Sequence, residues 1–150
     1  MRAGDYLILD ASAAVAWVMN DPGAGPVGDA VRHALRLGMF VVGPTALQAE
    51  VQAVIAKRVQ RKMLDAEGGR LSSAFWTSLV NRVPIDIHER HDHHPAALTL
   101  SIATGHCYFA CLYLALARKL GGELLTCDPS LARKAQEQGI VFRLPVLAEL

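Results

Sequence analysis

A chain of 150 residues that is 52% hydrophobic and 19% charged has the apolar content of an ordinary folded core and is too apolar for intrinsic disorder. Its 15 Lys and Arg balance 14 Asp and Glu to a formal net charge of +1, so composition gives no sign of a nucleic-acid binder, and any such role needs charge concentrated locally. Cys107, Cys111 and Cys127 are odd in number and lack C-x-x-C spacing, which sets aside a disulfide framework and points to buried thiols in a reducing cytoplasm. No signal-peptide pattern opens the chain and no apolar run reaches the roughly 20 residues of a membrane helix, so a cytoplasmic protein without membrane contact is expected. The mean hydropathy of +0.25 suits a well-filled interior or a surface that pairs, and is compatible with a soluble oligomer.

Leu7-Ile8-Leu9 has strand length and ends on Asp10 and the hydroxyl of Ser12, with the helix formers Ala13–Met19 directly behind. A turn cluster from Asn20 to Pro26 leads into a helix ending near Leu37, and Gly38 closes it. Met39–Val42 reads as a parallel strand covered on both faces. Gly43-Pro44-Thr45 opens a long helix with Leu47, Val51, Val54, Ile55 and Val59 at helical spacing and Glu50 near its start. Asp65 caps a further helix ending near Arg82, and Val83–Ile87 alternates like a strand that Pro84 assigns to a sheet edge.

The segment from His88 to Pro95 is polar and rich in histidine without a zinc pattern, and is expected as a solvated loop. Two helices follow, Ala96–Thr104 stopped by Gly105 and Cys107–Leu120 stopped by Gly121-Gly122. Glu123–Thr126 is the next strand, Asp128 and Pro129 open a helix over Ser130–Gln138, and Ile140–Arg143 makes a last strand. Alternating strands and helices imply a three-layer α/β domain, a parallel sheet flanked by helices, with residues 1–150 as one unit. Cys107 and Cys111 read as core thiols, Trp17, Phe75 and Trp76 as core or interface, and Lys57, Arg58, Arg61 and Lys62 as the exposed face of a helix. In a dimer, two such basic faces would give the local concentration of charge that the net composition hides.

A parallel sheet places Asp10 and Asp128 at the same edge, where ligands bind in open α/β folds, and Glu50 close to them. Each acid alone can be read as a helix cap or a partner of the helix dipole, and Asp128 reads about equally well that way. Three together, with no Lys or Arg beside them, repel one another unless a divalent cation neutralises them, and oxygen ligands suit Mg²⁺ or Mn²⁺. The hydroxyls of Ser12 and Thr126 stand two residues from an acid and can orient carboxylates or water. A haloacid-dehalogenase phosphatase needs a second Asp where Ser12 stands, and the paired acids of a receiver domain are not found.

The segments Leu7–Ala13, Pro44–Val51, Cys111–Ala117 and Leu124–Asp128 with Leu131-Ala132 resemble, in order, the motifs of the PIN domain, and within it the VapC-like toxins of bacterial toxin–antitoxin pairs. The resemblance spans nearly the whole chain. It implies an Mg²⁺-dependent ribonuclease acting on RNA, a homodimer, a VapB-like antitoxin partner, and Asp10, Glu50 and Asp128 as metal-binding acids. Two departures stand out: Gln52 replaces a common asparagine, and Phe109-Ala110 occupies the place of a tyrosine–aspartate pair. There is no Asp or Glu between Asp92 and Glu123 to substitute, so one of the family's four acids is missing at Ala110. A naturally inactive homologue, a disabled toxin and a site that works with water in place of the lost carboxylate all fit. An impaired ribonuclease is therefore set against a non-enzymatic PIN module that dimerises and binds RNA or an antitoxin.

Overall fold

In the computed structural model, which describes residues 4–145, Leu7-Ile8-Leu9 forms most of β1 (Tyr6–Leu9). A strand sends successive side chains to opposite faces. Leu7 and Leu9 accordingly enter one apolar cluster and Ile8 the other. In β2 (Phe40–Gly43) and β4 (Glu123–Leu125) the same alternation separates Val41 from Val42 and Leu125 from Leu124. The remaining strands are β3 (Ile85–Ile87) and β5 (Phe142–Arg143). All pairings are parallel, in the order β3-β2-β1-β4-β5, with Ile8 in register with both Val42 and Leu124.

The helices α1 (Ala11–Val18), α2 (Ala24–Arg36), α3 (Ala46–Gln60) and α4 (Ala66–Arg82) supply the cluster on one face. On the other lie α5 (His94–Thr104), α6 (Tyr108–Leu120) and α7 (Pro129–Glu137). Crossover handedness accounts for the division. Right-handed connections tie the direction of travel across the sheet to the face the helix covers. The chain steps from β1 to β2 to β3, then returns past β1 to β4, and this reversal moves its helices to the opposite face. The strand order therefore switches between β1 and β4, the place where an open α/β sheet has its crevice.

Local chemistry sets the element ends as the residue types predict. Asp65 accepts a hydrogen bond from Gly68 N at 2.7 Å to cap α4, and Asp128 caps α7 through Ser130 N at 2.9 Å with Pro129 in the first turn. Gly105 and Gly121 end α5 and α6 in the left-handed region, with φ of 73° and 62°. In α6 every residue from Cys111 to Ala117 is buried, which explains its uniformly apolar sequence. Among the described residues no single helix is long and apolar enough to cross a membrane.

Several expectations need correction. The histidine-rich segment is exposed at His88, Glu89, Arg90, His94 and Pro95, as expected of a solvated loop, but it is not irregular throughout and not wholly solvated. Residues Glu89–His91 form a 3₁₀ turn, His91 is buried with Nε2 3.0 Å from Asp86 Oδ2, and Arg90 pairs with the same carboxylate. Cys107 is exposed at the start of α6, and only Cys111 of that pair is a core thiol. Arg58 leaves the basic face of α3 to pair through both guanidinium nitrogens with Asp21, at 2.9 and 2.7 Å. Phe40 is half exposed at the amino edge of the sheet beside Tyr6, and Phe75 also reaches the surface, whereas Trp76 is fully buried and donates to Gln48.

The same histidine-rich segment fixes the start of α3. Thr45 does not cap the helix with its own side chain, and Asp92 accepts from both Thr45 N at 2.8 Å and Thr45 Oγ1 at 2.6 Å. A carboxylate delivered across 47 residues thus acts at the head of the helix that carries Glu50. Asp92→Ala is expected to destabilise the protein by about 1–2 kcal/mol, the cost of losing a helix-capping acceptor, read as a lower midpoint in urea denaturation.

Candidate metal-binding and catalytic site

Asp10 follows the last residue of β1 and caps α1, accepting from Ala13 N at 2.8 Å. Only 3% of it is exposed. Ser12 Oγ lies 2.8 and 2.9 Å from its two carboxylate oxygens, and Thr126 Oγ1 donates to Oδ2 at 2.6 Å. The hydroxyl protons can be assigned from the backbone. Cys127 N donates to Ser12 Oγ at 2.9 Å and Asp128 N to Thr126 Oγ1 at 3.0 Å, so each hydroxyl accepts from a main-chain amide and turns its single proton towards Asp10. The 3.1 Å approach of Ser12 Oγ to Thr126 Oγ1 is the contact between these two committed hydroxyls.

Two hydroxyls thus lock the β1–α1 turn to the β4–α7 turn, and Asp128 is carried on the second. Glu50 comes from α3, the helix after β2, where its Oε1 accepts from the hydroxyl of Tyr113 at 2.8 Å. The charge of Asp128 bears on Asp10, and that of Asp10 on Glu50. Burial pushes Asp10 up to about 6 against the hydrogen bonds from Thr126, Ala13 and Ser12, and the charge of Asp128 adds to the rise. Burial also raises Glu50, opposed by the Tyr113 hydrogen bond and reinforced by the charge of Asp10. None of the ion pairs among the described residues includes Asp10, Glu50 or Asp128.

The five expected site residues are therefore distributed unequally. Asp10, Ser12 and Thr126 form one hydrogen-bonded knot with Asp128 two residues beyond Thr126, while Glu50 is linked to it only by the charge of Asp10. Among the described residues no three Asp, Glu, His or Cys side chains already enclose one point at metal-ligand distances. Magnesium is commonly held by one or two carboxylates with several waters, so an open donor set of this chemistry suits it. Three donors fill three of the roughly four lone-pair positions of Asp10 and leave one free.

Tyr113 escaped the sequence reading of the site. Its signal was present: a phenol inside a wholly apolar helical run needs a buried acceptor. Burial, followed by the charge and hydrogen bond of Glu50, raises its pKa, so it stays a neutral donor. Beside the knot a cavity of about 460 Å³ is lined by Ala11, Ser12, Val15 and Cys127, with the Asp21–Arg58 pair in its wall. The Cys127 thiol there is pushed up to about 11 by burial and by the charges of Asp10 and Asp21, which makes it a poor thiolate nucleophile.

Comparison with known proteins agrees with this arrangement. The PIN domain family matches residues 7–137, from the first residues of β1 to the end of α7. Ribonuclease VapC12 of Mycobacterium tuberculosis, in strains CDC 1551 / Oshkosh and ATCC 25618 / H37Rv, is 34% identical over 128 residues, covering 85% of this chain and 90% of the relative. A five-stranded parallel sheet, an acid at the end of β1 tied to the end of β4, and a family match along the same span place the chain in the PIN-domain family, among its VapC-like members.

Proposed function

We propose that the chain is a VapC-like, divalent-cation-dependent endoribonuclease weakened by the absence of a carboxylate at Ala110. The observation that carries this reading is the buried Asp10, raised by burial and by the charge of Asp128 and itself raising Glu50, with only hydroxyls and amides as hydrogen-bond partners for the three acids. Asp10 is buried, Glu50 half-buried and Asp128 exposed, so the cost of like charges without a cation falls mainly on Asp10, and a bound cation would offset it. Mg²⁺, or Mn²⁺ in its place, would be held by Asp10, Glu50 and Asp128. When bound, it supplies positive charge to the phosphodiester and lowers the pKa of an attacking water. Ser12 and Thr126 keep the Asp10 carboxylate in one orientation throughout, and Asp128 keeps one oxygen on Ser130 N while its other oxygen stays available.

Position 110 lies three residues before Tyr113 on α6, hence on the same helical face one turn earlier. A carboxylate there would approach Glu50 from the side that Tyr113 already contacts. Its loss supports a second reading, a PIN module that dimerises and binds RNA or a VapB-like antitoxin without cutting. We favour residual cleavage, because the hydroxyl knot around Asp10 is complete, and we assign RNA, a VapB-like antitoxin and a second copy of the chain as partners.

Ala110→Asp is expected to raise Mg²⁺-dependent RNA cleavage about tenfold or more, equal to ~1.4 kcal/mol off the barrier, in a fluorogenic RNA assay with and without EDTA. No cleavage by either protein, with RNA or antitoxin binding intact, would establish the non-enzymatic reading.

Asp10 also predicts a pH dependence. Its folded pKa of about 6 exceeds the ordinary 3.8, so the folded state binds the proton more tightly. The contribution of Asp10 to the stability of the metal-free protein then falls as pH rises from about 4 to 6 and stays lower above that. Asp10→Asn is expected to stabilise the metal-free protein at pH 7.5 by on the order of 2 kcal/mol, to lose that advantage near pH 4, and to abolish stabilisation by Mn²⁺. Thermal melts across pH, with and without Mn²⁺, measure all three.

A further inference from the structure

The contact between Tyr113 and Glu50 is the only hydrogen bond described between α6 and the acids, and it joins elements on opposite faces of the sheet. Tyr113 is 2% exposed, with Leu112 and Leu114 buried on either side. A phenol in such surroundings is retained at a cost unless its hydroxyl has a partner, and Glu50 Oε1, at 2.8 Å, is that partner. The donor is neutral. An arginine or lysine there would cancel the negative charge of Glu50 and compete with a cation, whereas a phenol fixes the carboxylate and leaves its charge in place. A glutamate has several freely rotating side-chain bonds, and the entropy of holding one rotamer is already met before any ligand arrives.

From this geometry we infer that Tyr113 is a positioning residue for Glu50: its hydroxyl occupies Oε1 and makes Glu50 a one-oxygen ligand through Oε2. The inference rests on Glu50 being a metal ligand, as proposed above. It assigns α6 a part in the site despite the alanine at 110, because the helix acts through a hydroxyl one turn later. The apolar ring anchors that hydroxyl within the core, so the reach to Glu50 is set by packing rather than by a mobile surface chain.

Mn²⁺ titration by calorimetry on the full chain tests it, using Tyr113→Phe, Glu50→Gln and the double variant, with melting curves confirming that each is folded. Tyr113→Phe is expected to weaken Mn²⁺ about tenfold, as losing a partner of a metal ligand does, and to add nothing in the Glu50→Gln background. Wild-type affinity in Tyr113→Phe, or an equal loss in both backgrounds, would overturn the inference. If Glu50→Gln itself binds Mn²⁺ like the wild type, the ligand set is wrong, and the positioning role falls with it. Should Tyr113→Phe fail to fold, infrared difference spectra of the wild type labelled with ¹³C-carboxyl glutamate decide the matter. Mn²⁺ should widen the splitting between the two carboxylate stretches, the mark of a one-oxygen ligand, in a signal absent from Glu50→Gln. A narrowed splitting, which marks binding through both oxygens, would reject the role of Tyr113.

Discussion

A carboxylate that is 3% exposed has lost nearly all of its water, and Asp10 recovers hydration from three sources: the Ala13 amide and the hydroxyls of Ser12 and Thr126. Those hydroxyls are oriented in turn by the amides of Cys127 and Asp128. Desolvation still prevails, since Asp10 remains raised to about 6. This residual cost gives the site its character. A buried structural carboxylate would gain by having an arginine beside it, and the arginine nearest in kind, Arg58 in the wall of the adjoining cavity, is committed to Asp21 instead.

The sheet order makes the knot possible. β1 and β4 are neighbours although 114 residues separate Ser12 from Thr126, and the turns leaving their carboxyl ends meet where the strand order reverses. Glu50 approaches from β2 on the other flank of β1, on a helix whose head is held by Asp92 and whose acid is held by Tyr113. Every acid in the group is fixed by at least one neutral donor, so the fold immobilises the charges without cancelling them. Under the function proposed above, a cation would offset the cost of keeping Asp10 buried and uncancelled, a trade of stability for function that binding sites commonly make.

The sequence disclosed what depends on near neighbours. Leu7-Ile8-Leu9 before Asp10, the caps at Asp65 and Asp128, and the stops at Gly105 and Gly121 are local signals, and the elements they bound lie within about two residues of where the residue types place them. The hydroxyls of Ser12 and Thr126 were legible because parallel strands bring their ends to one edge. Contacts set by tertiary packing were not. Asp92 reads as loop until β3 lies beside β2, His91 reads as solvent-facing until Asp86 takes its Nε2, and Arg58 reads as a free charge until the turn after α1 delivers Asp21. Tyr113 lies between these cases: the apolar run around it announced a buried hydroxyl but not which acid would accept its bond.

Position 110 carries the tension between folding and chemistry furthest. A fourth carboxylate on that face of α6 would add a like charge beside Glu50, whose pKa is already raised by burial and by Asp10. The metal-free protein would become less stable, and the return would come only with a cation bound. Alanine removes the repulsion, favours the helix and leaves Tyr113 as the sole donor from α6 to the acids among the described residues. On the proposed function, alanine at 110 would therefore favour a fold that is stable without metal, with one oxygen ligand fewer than the family pattern implies. Losing Asp10 would be different in kind, because it would empty the centre of the hydrogen-bonded knot that joins the two turns.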